Sequence, residues 1–268
     1  MPYDKDTMRA CVYGLAVGDA LGVPYEFLER GTFVCNDMAT GGVHDQPLGT
    51  WSDDTSMTLC ICESVKGLGH VDADDIACNF RRWLRDGDFT CDGRVFDVGI
   101  TCREAIETGR PSESFQACGN GSLMRTAPIA MLRDWSDEDV KAVSAITHAH
   151  PVAEWSCVAL CEILGVLKEH GRAGIDEVWQ RYGFMAALPR DEVKSGGYCV
   201  HTLAAAIWCL CNTSGYRDCV LAAVDLGDDS DTTAAVAGAL AGVAYGYDAI
   251  PPEWLDQLRD KAVIERCI

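Results

Sequence analysis

Apolar residues return at three- and four-residue intervals along almost the whole chain, and stretches that alternate every second residue are nearly absent. The first period is that of an amphipathic helix and the second that of a half-buried strand. The pattern therefore predicts an all-α protein. Met8, Cys11, Val12, Leu15 and Ala16 share one face of a first helix that runs into Gly18, Asp19 and Gly22. After Ser52, a second face carries Met57, Ile61, Val65 and Leu68 and is closed by Gly67 and Gly69. Asp72 is placed to cap a helix bearing Ile76, Phe80, Trp83 and Leu84, which ends at Asp86-Gly87. Ser136 and Asp139 have the spacing of a capping box ahead of Val140, Val143 and Ile146. Pro151 suits the first position of a helix reaching about Glu169. Further helices are expected from Thr202 to Cys211, from Tyr216 to Leu226 and from Thr232 to Tyr245, and Pro252 opens the last.

The segment AAVAGALAGVAYG that follows Thr233 is too small-sided for an ordinary surface helix, and its glycines disfavour an isolated one. It suits a central helix that its neighbours approach closely. No repeat of fixed period and no Pro- or Ser-rich linker divides the chain, so residues 1–268 are expected to form a single domain.

Composition narrows the function. A net charge of −19 argues against binding a nucleic-acid backbone, which needs a basic face. It leaves room for an anionic ligand held locally by metal ions and backbone amides. Charged residues interrupt every apolar run before membrane-spanning length, so no membrane partner is expected. The opening MPYDKDTMRACV lacks the basic and apolar regions of a signal peptide, which points to the cytoplasm. The cysteines number 15, fall in helical apolar patterns and include no C-x-x-C, so they read as small buried hydrophobes.

Two acidic clusters carry the chemistry: Ser52-Asp53-Asp54-Thr55 and Asp229-Ser230-Asp231-Thr232. Each precedes an apolar-periodic segment and sets carboxylates beside hydroxyls. Either cluster alone reads as a helix cap, because Asp, Ser and Thr accept from free N–H groups at a helix start. Both together suit a shared site for hard divalent cations, which prefer oxygen ligands. Three further stretches are weak one by one. These are Gly14 to Gly22 leading into Glu26, Phe96 to Thr101 before a short helix, and Cys118 to Arg125 before Pro128. Glycines ahead of a helix leave N–H groups free to cradle phosphate, although Gly-Asn-Gly is also an ordinary turn. His148 and His150 are read first as parts of a helix junction.

In order along the chain, GLAVGDALGVPYE, WSDDTSMTL, FDVGIT, GNGSLMRTAPIA, THAHPVA, GGYCVHTLAAAIW and GDDSDTTAAVAGALAG resemble the motifs of the ADP-ribosylglycohydrolase family, from residue 14 to about 246. The resemblance implies a single-domain orthogonal helical bundle with two Mg²⁺ or Mn²⁺ ions in a cleft. It implies Ser52, Asp53, Asp54, Asp229, Asp231 and Thr232 as metal ligands and Glu26 as an acidic residue bordering the metals. By the same resemblance Gly119, Asn120, Gly121 and Ser122 hold the diphosphate and ribose, and His148 and Tyr198 contact the ligand. Ser52 stands where the family usually has Thr, and Asp228-Asp229 where it usually has Gly-Asp; the Asp-x-Asp-Thr spacing selects Asp229 as the ligand.

Asp97 is the candidate for proton transfer, because FDVGIT resembles the segment carrying a catalytic acid in arginine-directed members; its alternative role is a helix N-cap. The implied reaction is metal-dependent cleavage of the bond between ADP-ribose and a protein side chain, arginine first. An O-linked adduct (serine or O-acetyl-ADP-ribose) and non-catalytic ADP-ribose binding are the alternatives. The implied partners are an ADP-ribosylated protein and the product ADP-ribose.

Overall fold

The computed structural model describes residues 2–268. It contains helices α1 (Lys5–Gly22), α2 (Asp53–Leu68), α3 (Ala73–Asp86), α4 (Ile100–Thr108), α5 (Leu123–Met131), α6 (Asp137–Ser144) and α7 (Pro151–His170). The order continues with α8 (Gly174–Ala186), α9 (Cys199–Asn212), α10 (Tyr216–Val224), α11 (Ser230–Tyr245), α12 (Pro252–Gln257) and α13 (Lys261–Cys267). Among the described residues there are isolated bridges but no strands, so the fold is all-α as the spacing predicts.

The centre of the fold is the pair α1 and α11, the most extensive helix contact. Their glycines let the two backbones touch. A Cβ on Gly14 would stand 2.3 Å from the Gly238 carbonyl oxygen, and one on Gly22 would stand 2.3 Å from the Asp231 Cα. Every residue from Ser230 to Ala244 is buried, with α5, α7, α9 and α10 packed around the pair. The small-sided helix is central, as its composition predicts. The contact at Gly22 also fixes the end of α1 against the start of α11, where the acidic residues lie.

The expected caps form. Asp72 accepts from the N–H groups of Asp74 and Asp75, both halves of the Ser136–Asp139 capping box are made, and Pro151 opens α7. All 15 cysteines are unpaired, and 13 of them are buried.

Three features depart from the sequence pattern. Helix α5 runs through Pro128, although proline removes one ladder hydrogen bond. All of Leu123–Met131 is buried, and packing overrides propensity there. Helix α8 is not signalled, because its buried positions are sparse and its backbone kinks at Tyr182. The segment after Pro252 splits in two: Leu258 is extended, the Arg259 N–H donates to the Gly49 carbonyl at 3.0 Å, and Asp260 takes φ 38°.

Candidate active site

The start of α2 is capped from outside. The Asp19 carboxylate, buried on α1, accepts from the Ser52 N–H at 2.9 Å, the Thr55 N–H at 3.0 Å and the Thr55 hydroxyl at 2.5 Å. The Ser52 hydroxyl accepts from the Asp54 N–H at 3.2 Å and donates to Asp54 Oδ2 at 3.1 Å. The N–H groups of Ser52, Asp54 and Thr55 are therefore engaged without the Asp53 side chain or the second oxygen of Asp54. Asp54 Oδ1 is buried with no partner.

At the start of α11 the Asp229 side chain caps nothing; its Oδ2 accepts from the Asn120 amide at 2.9 Å. Both carboxylate oxygens of Asp231 are buried without partners. The Thr232 hydroxyl donates to Asp54 Oδ2 at 3.3 Å, so the two clusters meet although 178 residues separate these partners. Oxygens of Glu26, Asp229 and Asp231 lie within 4.8 Å of one another.

Burial pushes the carboxyls of Asp53, Asp54, Asp229 and Asp231 above the ordinary range, and neighbouring carboxylates add to the shift. The same two causes raise Glu26 to about 9. Burial alone raises Asp19, to about 7, against its own hydrogen bonds. Orphaned buried carboxylate oxygens are costly unless a cation or proton meets them. The donor set is oxygen throughout, so the residues present fit a hard divalent cation.

The cluster opens on a cavity of about 270 Å³ lined by Glu26, Asp53, Asp97, Gly119, Asn120, Gly121, His148, Asp229 and Thr232, among others. Phe27 and Ile100, exposed at 62% and 77%, stand at its mouth. Ser122 and Tyr198 do not line it. Ser122 is fully buried, its hydroxyl accepting from the Ser144 hydroxyl at 3.0 Å. Tyr198 lies beside Gly119, with which it forms an isolated bridge, and its ring faces Phe115 and His201.

Asp97 is not a helix cap. Gly99 holds the N-cap position of α4, and Asp97 itself adopts φ 55° in the left-handed region. Its carboxylate lies 3.4 Å from His44 Nε2, which also meets Glu26 Oε2 at 2.6 Å. A short loop holds His44 there. Gly41 and Gln46 pair through their backbones, and a Cβ on Gly42, which has φ 71°, would stand 2.8 Å from the Pro24 Cα.

In the glycine loop, Asn120 donates to Thr202 and Asp229 and braces the acidic centre. A Cβ on Gly121 would stand 2.7 Å from Cys102 Sγ, whereas one on Gly119 would find 3.5 Å to its nearest neighbour, His148 Nε2. His148 is buried and kept neutral, its pKa lowered to about 3 by burial and then by Arg125. His150 accepts from the Val152 N–H as the N-cap of α7, the junction role read from the sequence.

The residues that sequence reading passed over are Asp19, His44 and Arg125. Asp19 left a trace, a lone carboxylate in an apolar helix, and so did Arg125 in LMRTAPIAM. His44 sits in a loop with no pattern of its own.

Comparison with known proteins agrees with this geometry. The family model described as ADP-ribosylglycohydrolase matches residues 2–268. The chain is 35% identical to the protein named ADP-ribosylarginine hydrolase Tri1 of Serratia proteamaculans, over 94% of this chain and 75% of that one. It is 32% identical to the ADP-ribosyl-[dinitrogen reductase] glycohydrolase of Rhodospirillum rubrum, over 96% and 92% of the two chains. A solved structure titled as an ADP-ribosylglycohydrolase-related protein complex superposes with a TM-score of 0.80 at 32% identity, covering 98% of this chain and 94% of that one. A match across nearly the whole length, with the acidic clusters joined at one cavity, identifies the chain as an enzyme of the ADP-ribosylglycohydrolase family.

Proposed function

We propose that this enzyme hydrolyses the N-glycosidic bond between ADP-ribose and an arginine side chain of a modified protein, with two Mg²⁺ or Mn²⁺ ions as cofactors, the whole chain working as one domain. The observation that carries the reading is the set of buried, unpartnered oxygens on Asp54 and Asp231, beside Thr232, whose hydroxyl donates to Asp54 and which itself lines the cavity. Asp53, Asp54, Asp229, Asp231 and Thr232 would hold the cations, with the Ser52 hydroxyl beside them. When bound, the ions supply Lewis acidity and fix the ribose hydroxyls.

The remaining work falls to the chain's own groups. The loop from Gly119 to Gly121 seats the diphosphate, and Asn120 keeps Asp229 in place while it does so. As the C1″–N bond opens, positive charge builds on the ribose, and the surrounding carboxylates favour that charge. Water bonds to C1″, the bonding electrons leave with the arginine nitrogen, and Asp97 takes the proton the water loses and returns it to the departing guanidine. Glu26 and His44 hold Asp97 in position from the other side.

Arginine is preferred as the linkage because the similar Serratia protein carries that activity in its name and because Asp97 stands free of any capping duty. A panel of defined peptides carrying ADP-ribose on arginine or serine, assayed with metal and with EDTA, tests the reading. Faster metal-dependent release from arginine supports it. Preference for serine moves the activity to the O-linked class, and no release from either leaves an ADP-ribose binder.

A further inference from the structure

Arg125 is a fully buried arginine with no carboxylate beside it, directly beneath the glycine loop. Its guanidinium lies 4.6 Å from the Phe80 ring centroid, and its Nε has no partner. Nη1 donates to the Gly121 carbonyl at 2.7 Å; Nη2 donates to the Thr147 hydroxyl oxygen at 2.8 Å and to the Val143 carbonyl at 3.3 Å. An uncompensated buried charge is expensive, so the fold retains it against a considerable penalty.

What the guanidinium fixes is visible one bond further on. Thr147 Oγ1 lies 2.7 Å from His148 Nδ1. A guanidinium only donates, so the threonine oxygen already accepts and its own proton must go elsewhere. The imidazole nitrogen is a far better acceptor than the nearby Cys102 sulfur. His148 Nδ1 then carries the lone pair, and the ring proton sits on Nε2. That nitrogen has no protein partner and faces the glycine loop, 3.5 Å from where a Cβ would stand on Gly119 or Gly121.

We infer that Arg125 and Thr147 form a positioning relay that holds His148 as its Nε2–H tautomer, presenting a hydrogen-bond donor to an acceptor oxygen of the ligand in the cleft. The opposite tautomer would turn a lone pair toward that oxygen and repel it. The same guanidinium grips the Gly121 carbonyl, so one buried charge sets both the loop and the imidazole that face the ligand. The inference rests on the cleft binding ADP-ribose, and its test has an arm that does not.

Nitrogen-15 spectra of histidine-labelled, Mg²⁺-supplied protein without ligand, with His148→Gln to assign the resonance, read the tautomer directly. The relay requires a protonated Nε2 in the wild type, a shift of population toward Nδ1–H in Thr147→Val, and recovery in Thr147→Ser. Calorimetry with ADP-ribose should show affinity falling about tenfold in Thr147→Val, the size of one lost buried hydrogen bond, and returning in Thr147→Ser. Arg125→Lys, which keeps the charge but not the fork, should move the tautomer in the same direction. A wild-type Nδ1–H resonance, or unchanged ADP-ribose affinity in Thr147→Val, overturns the relay. Correct tautomers with no ADP-ribose binding by the wild type would sink the reading of the cleft and leave the Arg125–Thr147–His148 arrangement standing as described.

Discussion

Two kinds of acidic helix start occur in this molecule, and their sequences barely differ. Helix α3 begins with Asp72-Ala73-Asp74-Asp75, and α2 begins with Ser52-Asp53-Asp54-Thr55. At α3 the Asp72 carboxylate accepts from two N–H groups of its own first turn, each at 3.0 Å. Every acidic residue there has solvent within reach. At α2 the cap is supplied by Ser52 and by Asp19 from another helix, and Asp53 and Asp54 are left buried with nothing to cap. Helix α11 repeats the second case, with Asp231 orphaned on both oxygens. Composition does not distinguish a cap from a ligand site. What distinguishes them is whether the helix's free N–H groups consume the carboxylate.

The hardest test of that distinction is Asp54→Asn or Asp231→Asn. If these oxygens exist to meet cations, either change should reduce turnover to background. Metal-free stability should hold or rise, because the change removes a desolvated charge that nothing pairs. The thermal shift produced by added Mg²⁺ or Mn²⁺ should disappear with the activity. A variant with full turnover, or one still stabilised by metal, would return these residues to the class of Asp72.

Asp97→Asn probes the same division at the cavity wall and should have the next largest effect. The change keeps size and shape but removes the proton acceptor, and the loss of such a group lowers a rate by about 10²–10⁴-fold. The metal-induced thermal shift should stay near that of the wild type, since Asp97 adds no oxygen to the Asp54–Asp231 set. Single-turnover rates and melting curves on one preparation decide it. Near-normal turnover would transfer the proton to Glu26.

Much of the fold was legible because its signals are local. Helical spacing, the Asp72 cap, the Ser136–Asp139 box and the small-sided α11 are each written within one turn or one face. The metal-ligand candidates could be named because two such clusters occur together with the family's motif order, although either cluster alone reads as a cap. His44 was not, because its place depends on a loop folding over Pro24, a contact that no residue pattern encodes. Asp19 and Arg125 were visible as charges in apolar helices, but what each serves is settled by neighbours from other helices. Ser122 is a different case. Motif order places it among ligand-binding residues, whereas packing turns its hydroxyl inward to Ser144.

Acidity offers a smaller but continuous measure of the same contrast. In the metal-free protein burial raises Asp19 to about 7, and burial with neighbouring carboxylates raises Glu26 to about 9. A carboxyl whose folded pKa exceeds its unfolded value leaves the folded state with more bound protons. Its stabilising contribution is complete below the ordinary carboxylate range and is lost as pH rises through the folded value. The contribution of these two carboxyls should therefore decline from about pH 4, Asp19's until about pH 7 and Glu26's until about pH 9, and the metal-free protein should melt at progressively lower temperature as pH rises toward about 9. Added divalent cation should flatten that slope by replacing the protons. Equal slopes with and without metal would mean that no cation enters the acidic centre.

The smallest effect is expected where the carboxylate is only a cap. Asp72→Ala removes two acceptor contacts at the start of α3, and losing such an N-cap costs about 1 kcal/mol of stability. The helix should hold despite this loss, because Ile76, Phe80 and Trp83 remain buried beneath it. Turnover at saturating substrate and metal should be unchanged, since Asp72 lines no part of the cavity. The metal-induced thermal shift should also keep its full size, displaced to a slightly lower baseline. Asp72→Ser, which retains a capping oxygen without the charge, should recover most of the lost stability and so assign the effect to the hydrogen bonds. A fall in turnover or in metal response for Asp72→Ala would show that an exposed, satisfied acidic turn also serves the site, and the line drawn between the two kinds of helix start would be in the wrong place.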